Sequence, residues 1–68
     1  MANIEMLKNT IDDSGMTMVA ISKKSGIRRE TLYNRLAGVG DFTASEIVGL
    51  SKALKMTKTE RDQIFLQK

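Results

Sequence analysis

The chain has 68 residues, with eleven Lys and Arg against eight Asp and Glu, and it contains no Cys, His, Pro or Trp. Without Cys there is neither a disulfide nor thiol chemistry, and without Cys and His most zinc and transition-metal sites are excluded. The longest apolar run, Met18 to Ile21, is far shorter than the roughly 20 residues of a membrane span. We therefore expect one cytoplasmic domain over 1–68, with no metal, no cofactor and no membrane contact.

Apolar spacing predicts a first helix over about 3–13. Ile4, Leu7 and Ile11 recur at intervals of three and four, which places them on one helical face. A glycine follows as a C-terminal stop. All glycines are expected to punctuate the chain in this way: Gly15, Gly26, Gly38, Gly40 and Gly49.

A second helix is predicted from 18 to about 24, and a third over about 29–37. Thr17 is a candidate N-cap for the second helix. Between the two helices the chain must reverse within a few residues, and Gly26 can take a positive φ there without steric cost.

The packing of these two helices is also predicted. Ile21 and Ile27 flank the turn and can fill the gap between the helices. Ser22 is a small residue where the helices must approach closely. Leu32 and Leu36 share a face at i, i+4 and can seat the third helix on the core.

Capping-box patterns mark the last two helices. Thr43 with Glu46 opens a fourth helix over about 44–55, and Thr57 with Glu60 opens a fifth. No stretch of five or more residues alternates apolar and polar, so strands are not indicated. The fold class predicted is all-α, with five short helices.

Positive charge is concentrated in residues 17–38. This segment sums to +4, whereas 1–16 sum to −2 and 39–68 to +1. A concentrated basic block indicates a phosphate-rich partner. A solvated basic face would give the same sum.

Several segments resemble the helix-turn-helix of phage Cro and CI repressors. Residues 15–27, GMTMVAISKKSGI, resemble its opening, and residues 28–38, RRETLYNRLAG, its recognition helix and exit glycine. Two stretches within 41–54, DFTASEI and LSKAL, are similar to the family's fourth helix. The resemblance covers about 3–66. It implies a compact five-helix domain of the lambda-repressor-like type, with the motif at about 17–37, that binds an operator as a dimer.

The resemblance implies base readout from the third helix, which would lie in the major groove. The candidate readers are Arg28, Arg29, Glu30, Tyr33 and Asn34. Arg29 can read guanine and Glu30 can accept from cytosine. Arg28 can read a base or clamp a phosphate, and Asn34 can read adenine or hold a phosphate. Tyr33 can pack on a thymine methyl or donate to a phosphate.

Contacts to the DNA backbone and a dimer interface are implied in the same way. The candidate backbone contacts are Thr17, Met18, Lys23, Thr31, Gly38 and Gly40. Met18 stands where the family commonly has Gln, so only its backbone N–H can donate. The dimer interface is expected in the fifth helix, at Ile64, Phe65 and Leu66, as partly exposed apolar surface.

Some positions depart from the family pattern. Arg28 stands where a capping Ser is common, so a helix cap is lost. Ser25 and Arg35 are polar where an apolar residue is frequent, with Leu36 as the alternative core contact. Simpler structural roles also exist for parts of the site. Residues 28–30 can be a solvated helix start, with an arginine of this segment paired to Glu30 or Asp41. Tyr33 can be half-buried core, and Asn34 and Thr31 can be ordinary surface.

The function predicted is a sequence-specific regulator of transcription that binds double-stranded DNA, a Cro-like repressor. The alternative is a small helical protein-interaction module, such as an antirepressor, antitoxin or adaptor, without direct DNA readout. Catalysis is not expected, because the adjacent acids Asp12 and Asp13 would point about 100° apart on a helix and would not converge on one substrate.

Overall fold

The computed structural model describes residues 2–66, which form helices joined by short turns. The helices are α1 (Ile4–Ser14), α2 (Met18–Ser25), α3 (Arg29–Leu36), α4 (Ala44–Ala53) and α5 (Lys58–Phe65). The all-α prediction is confirmed for this part of the chain, and the largest boundary difference is that α4 ends two residues earlier than expected. Within the described residues no helix has the length and apolar character needed to cross a membrane.

The predicted caps form at the helix starts. The Thr17 side chain accepts a hydrogen bond from the backbone N–H of Ala20 at 3.1 Å. Thr43 with Glu46 and Thr57 with Glu60 both form complete, reciprocal capping boxes. These boxes satisfy N–H groups that a helix N-terminus otherwise leaves without partners.

One apolar core joins the five helices. Its buried residues are Leu7, Ile11, Ile21, Ile27, Leu32, Leu50, Ala53, Ile64 and Phe65. The residues predicted to fill the α2–α3 turn and to seat α3 are thus in the core, while Leu36 is half-buried against it. The rings of Phe42 and Phe65 meet edge to face with centroids 5.3 Å apart, which ties the loop before α4 to α5.

The two ends of the described chain are held together. The backbone N–H of Asn3 donates to the carbonyl of Ile64 at 2.6 Å. The Asn3 side chain also accepts from the Met6 N–H at 3.1 Å and so caps α1. One residue therefore starts the first helix and fastens it to the last.

Two expectations for Gly49 conflict, a break in the chain and a place inside the helix predicted over about 44–55. The structure confirms the second, because Gly49 lies inside α4. α4 is the helix against which α2 packs most extensively, and Gly49 is at their closest approach. A β-carbon at Gly49 would overlap the backbone carbonyl oxygen of Ser25, at the end of α2. The two helix backbones can therefore touch only because residue 49 has no side chain.

Replacing Gly49 with Ala is expected to lower the free energy of unfolding by about 1–3 kcal/mol, because backbone must move to admit the methyl group. This loss would occur although Ala is favoured over Gly in a helix by about 1 kcal/mol. Urea unfolding followed by circular dichroism measures the change. Val48→Ala, at an exposed neighbouring position, is the control and should change stability by less than about 0.5 kcal/mol. Equal stabilities for Gly49→Ala and the wild type would contradict the close approach.

α4 ends in a Schellman motif built without glycine. The N–H of Met56 bonds to the carbonyl of Ser51 at 2.9 Å, and the N–H of Lys55 to that of Lys52 at 3.3 Å. This pattern requires a left-handed residue at position 55, and Lys55 has φ 52°. Lys55 is the only residue other than glycine with positive φ in the described chain.

Lys55→Gly is expected to raise the free energy of unfolding by about 1 kcal/mol, because glycine takes the left-handed conformation without the β-carbon clash. Lys52→Gly, three residues earlier in the last turn of α4, should have the opposite effect and lower it by up to about 1 kcal/mol. Thermal unfolding of the two variants checks the pair of signs, and a loss of stability in Lys55→Gly would contradict the assigned backbone conformation.

Candidate nucleic-acid interface

The turn between α2 and α3 is fixed by short-range hydrogen bonds around Gly26. Gly26 has φ 77°, as the reversal requires, and its N–H donates to the Ser22 carbonyl at 3.0 Å. The Ser22 hydroxyl donates across the turn to the Ile27 carbonyl, and the Ile27 N–H donates to Ser25 Oγ at 3.3 Å. Ser22 is therefore more than a small residue at a close approach, because it sets the position from which α3 starts.

The candidate base readers lie on the outer side of α3. All five are exposed: Arg28, Arg29, Glu30, Tyr33 and Asn34. The last four fall within an arc of roughly 140° around the helix axis. Leu32, on the other side, is fully buried and holds α3 on the core. The structure thus brings the last four together on one free helical face, whereas Arg28, the N-cap, lines a depression at the start of α4.

The exposure, capping bonds and ion pairs of these residues bear on their simpler structural roles. Tyr33 is 54% exposed and does not belong to the apolar core, so it lies at the surface with about half of its area covered. Arg28 is the N-cap of α3 and makes no side-chain capping bond, as its departure from the family pattern predicts. Within residues 2–66, the ion pairs are Arg35–Glu46 and Arg61–Asp62, so Arg28 and Arg29 pair with no described acid. Their guanidinium groups are available to a partner.

The candidate backbone contacts divide into those beside this face and those away from it. Thr17 and Met18 start α2, and Met18 lines an open groove with Tyr33. Gly38 and Gly40 are exposed in the loop that follows α3. Thr31 lies roughly 160° around the axis from Arg29 and faces a depression shared with the start of α4. Thr31 therefore lies away from Arg29, Glu30, Tyr33 and Asn34, and shares its depression with Arg28.

Lys23 has a structural explanation beside its candidate role. Lys23 and Lys24 are both exposed and lie in the last turn of α2. Cations there interact favourably with the helix dipole, so their position alone does not require a ligand. They also add positive charge close to Arg28 along the chain.

Arg35 fastens the loop after α3, called here the exit loop (residues 37–43). Its Nε donates to Glu46 Oε1 at 3.3 Å, and its Nη1 donates to the Val39 carbonyl at 3.1 Å. The same Glu46 oxygen accepts from the Thr43 N–H at 2.9 Å within the capping box. A β-carbon at Gly40 would lie 2.5 Å from Arg35 Nη1, so the loop passes directly over the guanidinium.

Sequence reasoning did not assign Arg35 a role, although its departure from the apolar family pattern was a signal. One side chain joins the C-terminus of α3, the exit loop and the first turn of α4. Its pair with Glu46 is mostly shielded, with side-chain exposures of 22% and 15%. The positions of Gly38 and Gly40 thus depend on a charged pair as well as on backbone turns.

Arg35→Met is expected to lower the free energy of unfolding by about 1–2 kcal/mol, since it removes hydrogen bonds of a charged group while keeping an apolar stem. Arg61→Met is the matched control, because Arg61 pairs with Asp62 at 3.4 Å in a more exposed setting. The control should change stability by less than about 0.5–1 kcal/mol. Urea unfolding of both variants checks this, and equal losses would contradict a special role for Arg35.

The residues expected at a dimer interface are corrected in part. Ile64 is fully buried and Phe65 is 8% exposed, because both pack into the core of the single chain. Only Leu66, at 58% exposure, is apolar surface as expected. A charged residue at position 65 would therefore disrupt the core and would not report on dimerisation.

A groove between α1 and α3 was not foreseen. We call it the α1–α3 groove, and its lining residues are Lys8, Ile11, Asp12, Met18, Tyr33, Leu36 and Ala37. It joins the C-terminal half of α1 and the start of α2 to the end of α3 that carries Tyr33. No local sequence signal predicts it, because its members come from three helices.

Comparisons with known proteins give no relative for this chain. No protein-family model matches it, and no significant match is found with curated proteins or with solved structures. The interface is therefore supported by the exposure, charge and grouping of its own residues.

Proposed function

We propose that this chain is a sequence-specific regulator of transcription that inserts α3 into the major groove of double-stranded DNA. The observation that carries the proposal is the exposed face of α3, with two arginines free of ion pairs to described residues at its start and further polar groups one turn on. A helix about 10–12 Å across fits a groove about 12 Å wide.

The chemistry of this face suits base edges. Arg29 can donate twice to guanine O6 and N7, and Glu30 can accept from the amino group of cytosine. Asn34 can pair with adenine, while the exposed ring of Tyr33 can contact a thymine methyl. This mixture of donors and acceptors supports readout of sequence, because phosphate binding alone would call only for cations.

The proposal includes a helix-turn-helix formed by α2 and α3 and a homodimer on a two-fold operator. The glycine turn, the Ser22 bond across it and the burial of Ile21 and Ile27 support the first part. Two copies would place their recognition helices about 34 Å apart, on half-sites separated by one DNA turn. Of the residues expected between the copies, Leu66 has the exposure such a contact needs.

Selection of random duplex DNA by the purified protein, followed by sequencing, tests the whole proposal. Enrichment of a site with two symmetric halves would support both base readout and a dimer. Enrichment of a single half-site would support readout by one copy. No enrichment over the starting pool would overturn the proposed function and favour a protein-interaction module.

Arg29→Ala is expected to cost about 1–3 kcal/mol of binding free energy on the selected site and to relax preference at one base pair. Lys58→Ala, which removes an exposed cation from α5, is the control for net charge and should leave that base preference unchanged. Fluorescence anisotropy on duplexes that vary the single base pair measures both effects. An unchanged preference in Arg29→Ala would contradict base readout by this side chain.

Binding of the wild-type protein should weaken steeply with salt, with a log–log slope near −0.9 for each phosphate neutralised. The physical reason is release of counterions from the duplex when Lys and Arg replace them. A titration from about 50 to 200 mM salt measures the slope, and a flat response would contradict contact with the DNA backbone.

A further inference from the structure

The α1–α3 groove brings together apolar and charged residues that are far apart in the sequence. Its floor includes Ile11, Met18 and Leu36, which are all packed at least partly against the core. Its rim carries one cation and one anion, Lys8 and Asp12, both exposed and four residues apart on α1. An apolar floor with charges at the rim suits a ligand that is itself apolar in part and charged in part.

The groove is continuous with the face proposed to read DNA. Tyr33 belongs to both, and Met18 is the first residue of α2, where a phosphate contact is expected. Met18 has no side-chain donor, so only its backbone N–H can bind a phosphate there. Lys8 lines the same groove and carries three N–H donors.

The ammonium group of Lys8 is available to donate to a phosphate. Within residues 2–66 it forms no ion pair, and its spacing of four from Asp12 produces none at 4.0 Å or less. Asp12 is likewise without an ion-pair partner among the described residues. Both charges therefore act on whatever approaches the groove, one attracting an anion and the other repelling it.

We propose that the α1–α3 groove extends the DNA-binding surface onto α1 and seats the sugar-phosphate backbone beside the major groove. Lys8 donates to a phosphate oxygen in place of the missing donor at residue 18, and the apolar floor contacts deoxyribose. Asp12 opposes the same phosphates and limits the attraction. The inference rests on the proposed function, since it identifies further residues of the same site.

Lys8 and Asp12 carry opposite charges at the same groove. Removing one charge should therefore change the affinity for DNA in the opposite direction to removing the other. Lys8→Gln removes attraction and a donor, whereas Asp12→Asn removes repulsion and keeps a polar side chain of the same size. The repulsion acts on any phosphate, so Asp12 weakens binding to every duplex. The selected and the random duplex should therefore feel this repulsion by about the same factor.

The experiment measures affinity and salt slope on the selected duplex and on a random duplex of the same length. Lys8→Gln is expected to weaken binding to both duplexes about threefold to tenfold at low salt. It should also reduce the magnitude of the log–log salt slope by about 0.9, the contribution of one neutralised phosphate. Asp12→Asn is expected to strengthen binding to both duplexes by a similar factor and to leave the ratio of specific to random affinity unchanged. Circular dichroism melts confirm that each variant remains folded.

Matched controls separate position from net charge. Lys58→Gln on α5 and Asp13→Asn on α1 make the same two charge changes at exposed positions that do not line the groove and have no ion pair among the described residues. If Lys8→Gln and Asp12→Asn change affinity no more than these controls, the inference is overturned while the proposed function stands. If the wild-type protein binds neither duplex at low salt, the proposed function itself fails and the inference fails with it.

Discussion

The contact between the backbones of α2 and α4 at Gly49 is the constraint on which the rest of the structure depends. The end of α2 approaches α4 so closely that no β-carbon fits between Gly49 and the Ser25 carbonyl. The reversal at Gly26 begins one residue later, so its position relative to the core is set by this contact. α3 then extends from a turn whose place is fixed by α4 as well as by its own hydrogen bonds.

α3 is held at both ends and on one side, and these supports leave its outer face free. At its start, the Ser22 hydroxyl bonds to Ile27 across the turn. At its end, Arg35 joins the helix to the exit loop and to Glu46 on α4. Leu32 anchors the middle in the core. Polar side chains on the remaining face make no structural contribution to these supports, so their chemistry is available for a ligand.

The sequence predicted features that depend on neighbouring residues and missed those that depend on distant ones. Capping boxes, glycine turns and apolar spacing act within a few residues, and the caps at Thr17, Thr43 and Thr57 were found for that reason. Burial of Ile64 and Phe65 depends on α1 and on the loop before α4, so a local apolar cluster was read as surface. The same holds for Gly49, Arg35 and the α1–α3 groove, because the role of each depends on contacts with other helices. The resemblance supplied the candidate reading residues, and their role in reading DNA stays a prediction.

The bond between Asn3 and Ile64 has a practical consequence for attaching labels. It brings the two ends of the described chain together, and Ala2 and Phe65 line the same open depression as Gly38 and Gly40. A fluorophore or affinity tag attached near either end of the described chain would therefore lie beside the exit loop and could obstruct the DNA contact proposed for that loop. Gln63 in α5 is an exposed alternative for attachment. This residue lines neither the depression nor the α1–α3 groove.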